Sequence, residues 1–221
     1  NMHTSIYLNR KYYELSISYY SRHSNNIYDF NNIISPIPLI NKTINNIQKG
    51  SEKTSGSELF IRIKNQQYNG WISYQYNSTQ FAFDHIDEGV FFPADHDLTH
   101  ELKTVFSTSL FNIDLTATWS YTSGRVFTNP KNININSDFT IIYDKGTRNR
   151  ERLQPVHHLD FSMLKTFQIG KIKLDTGISI YNMYNKKNIS HKKYNPFNKE
   201  NIISDVIMLG ITPTFFIQLY L

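Results

Sequence analysis

The stretch that most constrains the fold is the last one, residues 206–221, which reads VIMLGITPTFFIQLYL. It carries no charge, and from Leu209 its odd positions are Leu209, Ile211, Pro213, Phe215, Ile217, Leu219 and Leu221. Between them fall Gly210, Thr212, Thr214, Phe216, Gln218 and Tyr220, a mixed and mostly small or polar set. Successive side chains of a strand point to opposite faces, so one continuously apolar face at a period of two marks a β-strand. Strands of soluble domains typically run about five or six residues, whereas crossing a bilayer at a tilt takes about nine to eleven. Gly210 and Pro213 argue against a spanning helix here. The stretch is therefore expected to be the closing strand of an outer-membrane β-barrel.

The same alternation recurs upstream. Residues 2–8 place Met2, Thr4, Ile6 and Leu8 on one face; residues 12–22 set Tyr13, Leu15, Ile17 and Tyr19 against Glu14, Ser16, Ser18 and Tyr20. Residues 57–65 and 70–79 follow, the first with Leu59, Ile61 and Ile63 on one side, the second with Ile72, Tyr74 and Tyr76 opposite Trp71, Ser73, Gln75 and Asn77. Residues 99–109, 113–121, 157–167 and 172–182 complete the set, and Asp114, Lys173 and Asp175 fall on the polar side of their strands. Tight turns near residues 9–11, 66–69, 111–112 and 168–171 alternate with long connections near 24–55, 81–98, 123–155 and 185–205. The first of these, with Pro36 and Pro38, leaves room for a small hairpin of its own.

Short turns on one side and long loops on the other belong to transmembrane barrels, while soluble sandwiches mix their loop lengths. The expectation is an all-β chain of about nine antiparallel strands. An odd count leaves open edges, which lipid does not tolerate, and no positively charged segment with an apolar core opens the chain. The chain is accordingly expected to be a fragment, with further strands supplied by a missing N-terminal part.

Composition serves this reading. Hydrophobic residues make up 39% and the mean hydropathy is -0.45, so no helical span is expected. The 15 Tyr and 15 Phe suit interfacial girdles or a sandwich core equally. The absence of Cys excludes disulfides and thiolate metal sites. The net charge of +5 gathers partly at Lys186, Lys187, Lys192 and Lys193. No nucleic-acid motif accompanies these lysines, so they read as solvated loop charge and no nucleic-acid partner is expected.

Several pieces together resemble the C-terminal part of a TonB-dependent outer-membrane transporter, the 22-stranded plugged-barrel class. They are Ser55-Gly56-Ser57-Glu58-Leu59, Gly70-Trp71-Ile72-Ser73-Tyr74, Phe92-Pro93-Ala94-Asp95-His96-Asp97 leading to His100, and Ser123-Gly124-Arg125. Arg148-Asn149-Arg150 with Arg152-Leu153, Pro155-Val156-His157-His158-Leu159-Asp160, Ile180-Tyr181-Asn182-Met183-Tyr184-Asn185 and the terminal strand complete the series. The resemblance implies active uptake of a scarce nutrient, such as a siderophore, cofactor, glycan or peptide, across the outer membrane of a Gram-negative bacterium. It also implies, as partners, outer-membrane lipid, the remaining barrel strands and plug, and a TonB complex reached through that missing part.

Candidate site residues follow from residue type. Phe91, Phe92, Asp95, His96, Arg148 and Arg150 lie in long connections, where aromatics line apolar ligand sites and arginines pair with carboxylates. Trp71, Tyr74, Tyr76, Trp119 and Tyr121 are expected in a membrane girdle. Asp95, His96, Asp97 and His100 form the densest set of metal-ligand types, with His157, His158 and Asp160 second. Two histidines without a third ligand do not make a metal site, and these groups are expected to hydrogen-bond backbone and neighbouring strands. No nucleophile elbow or triad spacing appears, so neither enzyme activity nor a cofactor is expected. The alternative is a secreted all-β carbohydrate- or ligand-binding module, whose strands would each bury one face.

Overall fold

A computed structural model describes residues 1–30, 47–84, 86–129, 133–135, 141–143, 148–194 and 203–220. Nine long strands form one antiparallel sheet: β1 (Met2–Asn9), β2 (Tyr13–Phe30), β3 (Ile47–Lys64), β4 (Tyr68–Phe83), β5 (His100–Leu110), β6 (Ile113–Thr122), β7 (Val156–Ile169), β8 (Ile172–Tyr181) and β9 (Thr212–Tyr220). Each pairs with the strand before and after it in sequence, a meander without crossovers. Phe92–Pro93 adds a short rung beside β4, and three two-stranded pairs, one of them Ile189–Tyr194 with Ile203–Ile207, decorate the long connections.

The alternation read from the sequence is the alternation of the sheet. One register row runs Tyr13–Ile63–Gly70–Phe106–Ala117–Phe161–Ile180–Pro213. The next rows toward the long connections run Leu8–Leu15–Ile61–Ile72–Thr104–Trp119–Leu159 and Ile6–Ile17–Leu59–Tyr74–Leu102–Tyr121–His157. Paired residues share a face, so all of these point to one side. The opposite side is polar, as in the row Ser5–Ser18–Glu58–Gln75–Glu101–Thr122. Tyr13 opens β2 beside a short turn, yet its row ends on Pro213, near the other end of β9. The sheet is therefore sheared in one direction, as the wall of a barrel is.

All four short turns lie at one edge and all four long connections at the other. Phe111 and Asn112 both adopt positive φ (52° and 59°), the mirror-image turn whose twist matches its strands. β1 and β9 pair on one side only, so the sheet is open among the described residues.

Strands end later than periodicity indicated. β2 and β3 extend their pairing through Ile27–Gly50 to Phe30–Ile47 across a bulge after Ser24, and β4 reaches Phe83. Residues 24–30 and 47–55, read as part of a connection, are thus strand, and the hairpin expected near Pro36 and Pro38 lies outside the described residues. The connection read as loop over 185–205 forms an antiparallel pair, Ile189–Tyr194 with Ile203–Ile207, which takes in Val206 and Ile207 from the stretch read as the terminal strand, and β9 starts at Thr212.

Candidate functional site

The apolar face is open to its surroundings. Ile6, Ile61, Ile63, Ile72, Phe106 and Met163 are exposed along it, and Phe215 and Ile217 on β9 reach 73% and 77%. From the turn edge up to Tyr19, Ser57, Tyr76, His100, Tyr121 and His157, the only Lys, Arg, Asp or Glu on this face among the described residues is Lys165. Its Nζ sits 5.2 Å from the Phe167 ring centre, with the aliphatic stem along the apolar surface. A soluble protein rarely exposes an apolar patch beyond a few hundred Å².

An aromatic rim bounds the band on the side of the long connections. Tyr74 Oη lies 2.9 Å from His100 Nδ1, and Tyr76 packs against the same imidazole. Trp119 stacks on Tyr121, which stacks on His157, whose Nδ1 lies 2.7 Å from Tyr184 Oη. Tyr74, Tyr76, Trp119 and Tyr121 thus share one face within three successive register rows. Trp71 does not join them: it pairs with Arg62 and Val105 on the polar face, under Lys103 and beside Phe60. Period two dictates this, because Trp71 is odd where Tyr74 and Tyr76 are even.

Beyond the rim the chain builds its buried core. Phe83, Phe92, Ala94, Val126 and Leu153, the fully buried apolar side chains among the described residues, all lie at the long-connection end. Asp97, 2% exposed, organises it: Oδ1 accepts the Thr79 N–H at 2.8 Å, Oδ2 accepts the Thr99 hydroxyl and forms an ion pair with Arg152. Arg152 also donates to the Gly124 carbonyl, and a Cβ on Gly124 would fall 1.7 Å from the Leu153 carbonyl oxygen. Only glycine admits that approach. Ser123 completes the junction, its hydroxyl accepting the His100 N–H.

The expected ligand residues divide. Arg148, Asp95 and Phe92 come together: the guanidinium lies over the Phe92 ring, donates to Asp29 at 2.7 Å and reaches Asp95 at 3.3 Å, while the Arg148 N–H donates to Asp87. Buried Asn149, at positive φ, donates to the Pro93 carbonyl and to Asp95. Arg148, expected to pair with a ligand carboxylate, is instead committed to Asp29 and Asp95 of the chain itself, as Arg152 is to Asp97. Phe91 lies under Lys53, His96 beside Phe81, and Arg150 is exposed. Asp95, His96, Asp97 and His100 thus diverge to separate partners, and among the described residues no three His, Asp or Glu converge as metal ligands.

An asparagine series in the last connection gave no functional signal in the sequence. Asn182, fully buried at φ 52°, donates to the carbonyls of Lys186 and Leu209 and accepts the Lys186 N–H, while its own N–H meets Asp160. Asn185 accepts the Ile211 N–H, and Asn188 exchanges two hydrogen bonds with the His157 backbone. The spacing of three and the tolerance of asparagine for positive φ are the signals that were available. Lys186 is half-buried at this cluster, and the partial desolvation lowers its pKa. Phe92–Ala94, Asp97, Ser123–Gly124, Asn149 and Arg152 therefore form a single junction of the long connections, although they are scattered in sequence. No protein-family model and no curated protein sequence matches the chain.

Proposed function

We propose that this chain is the C-terminal part of the wall of a 22-stranded, plugged outer-membrane barrel that takes up a scarce nutrient with energy from a TonB complex. One observation carries the reading: an apolar band with a single lysine and an aromatic rim, lying on one face of a sheared nine-stranded meander and covered by no second layer among the described residues. In water such a face costs about 25 cal/mol per Å²; against acyl chains the cost vanishes. The opposite face, with Glu58, Arg62, Lys103 and Asp114, suits a wet lumen or a plug.

The open edges fit the same reading. β1 and β9 both run from the long-connection end toward the turn edge, so joining them directly would make a parallel seam. An all-antiparallel wall closes only with an odd number of further strands between them, which satisfies every backbone group in lipid. The alternative, a secreted binding module, requires an opposing sheet on the apolar face, and the described residues supply none. The test is to fractionate cells making the native polypeptide and to compare its gel mobility with and without heating. Recovery in the outer membrane, a need for detergent and a heat-dependent shift are expected, with growth on limiting nutrient lost on deletion and uptake lost with an uncoupler. A monomer soluble in aqueous buffer overturns the proposal.

A further inference from the structure

The membrane wall leaves Trp71 without a role: it lies on the polar face, where an indole gains nothing from lipid. There it packs against Phe60, the ring centres 6.0 Å apart and the planes at 36°, and both side chains are half-buried. Two large rings side by side on a face of hydroxyls, amides and charges form a platform. Cations flank it. Arg62 is the cross-strand partner of Trp71, and Lys103, the partner of Ser73, holds its Nζ 5.9 Å from the indole centre. That is the outer limit of a cation–π contact, and Lys103 is exposed and forms no ion pair among the described residues. Arg62 donates its Nε to Asn69 at 3.3 Å. Its cross-strand neighbour Glu14 is paired with Lys64, so Arg62, Lys64 and Glu14 together keep a net positive charge.

One step toward the long connections, the row Glu58–Gln75–Glu101 supplies the opposite chemistry. Glu58 accepts the Ser18 hydroxyl at 3.3 Å. An ionised carboxylate offers about four acceptor sites and no donor, so these glutamates keep capacity for a ligand that brings hydroxyls. A simple aromatic acid would satisfy the cations but set its charge against the glutamates. A neutral sugar would satisfy the glutamates and the rings but leave the cations without a partner. The two glutamates stand two strands apart, about 10 Å, which the single terminal ammonium of a short peptide does not bridge. Glu58, Phe60 and Arg62 follow one another down β3 over about 14 Å, longer than one sugar ring. Resting on the membrane-wall reading above, we infer that this platform binds an acidic oligosaccharide, which makes a uronic-acid glycan the substrate class of the proposed transporter. A sugar ring lies on Phe60 and Trp71, its hydroxyls donate to Glu58 and Glu101, and a carboxylate pairs with Arg62 and Lys103.

The experiment uses the full-length native polypeptide in neutral detergent, each variant first checked for the heat-dependent gel shift of a folded barrel. Tetragalacturonate, its fully methyl-esterified form and tetraglutamate are titrated in turn, with binding read by native mass spectrometry. Tetragalacturonate is expected to bind about tenfold more tightly than the ester, the equivalent of one charge-assisted hydrogen bond. The Arg62→Gln/Lys103→Gln double variant is expected to lose that difference while binding the ester as before. Trp71→Ala should weaken both sugars about fivefold, and Trp119→Ala, on the opposite face, should leave both affinities unchanged. Equal affinity of the folded barrel for acid and ester, tighter binding of tetraglutamate, or a double variant or Trp71 variant that binds as wild type overturns the site alone. A polypeptide that never shows the gel shift overturns the wall reading and the site with it.

Discussion

The two ends of this molecule are stabilised by opposite means. Around the short turns, side chains are exposed on both faces of β9 and few are buried anywhere, so backbone ladders hold the sheet, and in the proposed wall lipid would supply the apolar contact. Around the long connections, Phe83, Phe92, Val126 and Leu153 pack into an ordinary core, and Asp97, Asn149 and Asn182 satisfy the backbone of irregular segments from within. A strand that borrows a solvent's apolarity needs only alternation. A loop that must fold in water needs its own core and its own polar partners. On the proposed membrane reading, conventional burial and solvent-lent burial coexist in one chain, and each should fail separately.

The largest effect is expected from Asp97→Ala. It removes the buried carboxylate that pairs with the partly exposed Arg152 and accepts the Thr79 N–H; leaving that buried N–H unsatisfied and losing the charge-assisted bond together cost about 3–5 kcal/mol. The damage should stay at the long-connection end: limited proteolysis is expected to open segments 84–99 and 123–129, while membrane recovery and the heat-dependent shift persist. Loss of both together would mean that the ends are one cooperative unit, and the contrast drawn above would fall.

Next comes a pair of neighbours. Ile72 sits mid-band on the apolar face, and Ser73 faces the other way, opposite Lys103. Ile72→Arg is expected to cost about 2–4 kcal/mol in lipid and to deplete the protein from the membrane fraction. Ser73→Glu should assemble as wild type. Equal tolerance of both would show that no face of β4 meets lipid.

Asn182→Ala is expected to cost about 1–3 kcal/mol, since it removes three part-buried hydrogen bonds to Lys186 and Leu209. Its readout is local. Hydrogen exchange should quicken in residues 209–220, where the last connection hands the chain to β9, and stay unchanged in β3 and β4.

This division also explains what the sequence discloses. Wherever one face is apolar and the other wet, as in Leu59–Glu58 or Trp119–Thr118, period two is visible and the strands were legible, along with their faces. Above the rim, Ser21, His23, Ser55 and Lys53 are polar on both sides of the strand, the period disappears, and β2 and β3 continue unannounced because cross-strand partners such as Arg22–Glu52 hold them. Expected site residues were recognisable by type but not by company. Asp97 and Arg152 are 55 positions apart, and nothing local shows that one neutralises the other. Trp71 was placed with the girdle for its chemistry when its parity already assigned it to the polar face.

The smallest effect tests that upper arm. Glu52 lies above the apolar band; its burial acts to raise its pKa, but hydrogen bonds from Arg22 and Thr54 and the charges of Arg22 and His96 outweigh it, so its carboxyl titrates below the usual glutamate range. A folded-state pKa below the unfolded one contributes stability that is present at neutral pH and disappears as pH falls through the folded value. Protection from exchange in residues 47–56 should therefore decline below about pH 4, the range in which unfolded glutamates take up protons. The Glu52→Gln variant should show weaker protection at pH 7 and a flat profile below it. An identical acid transition in wild type and variant would remove Glu52 as its cause and would leave the upper arm held by its backbone ladder alone.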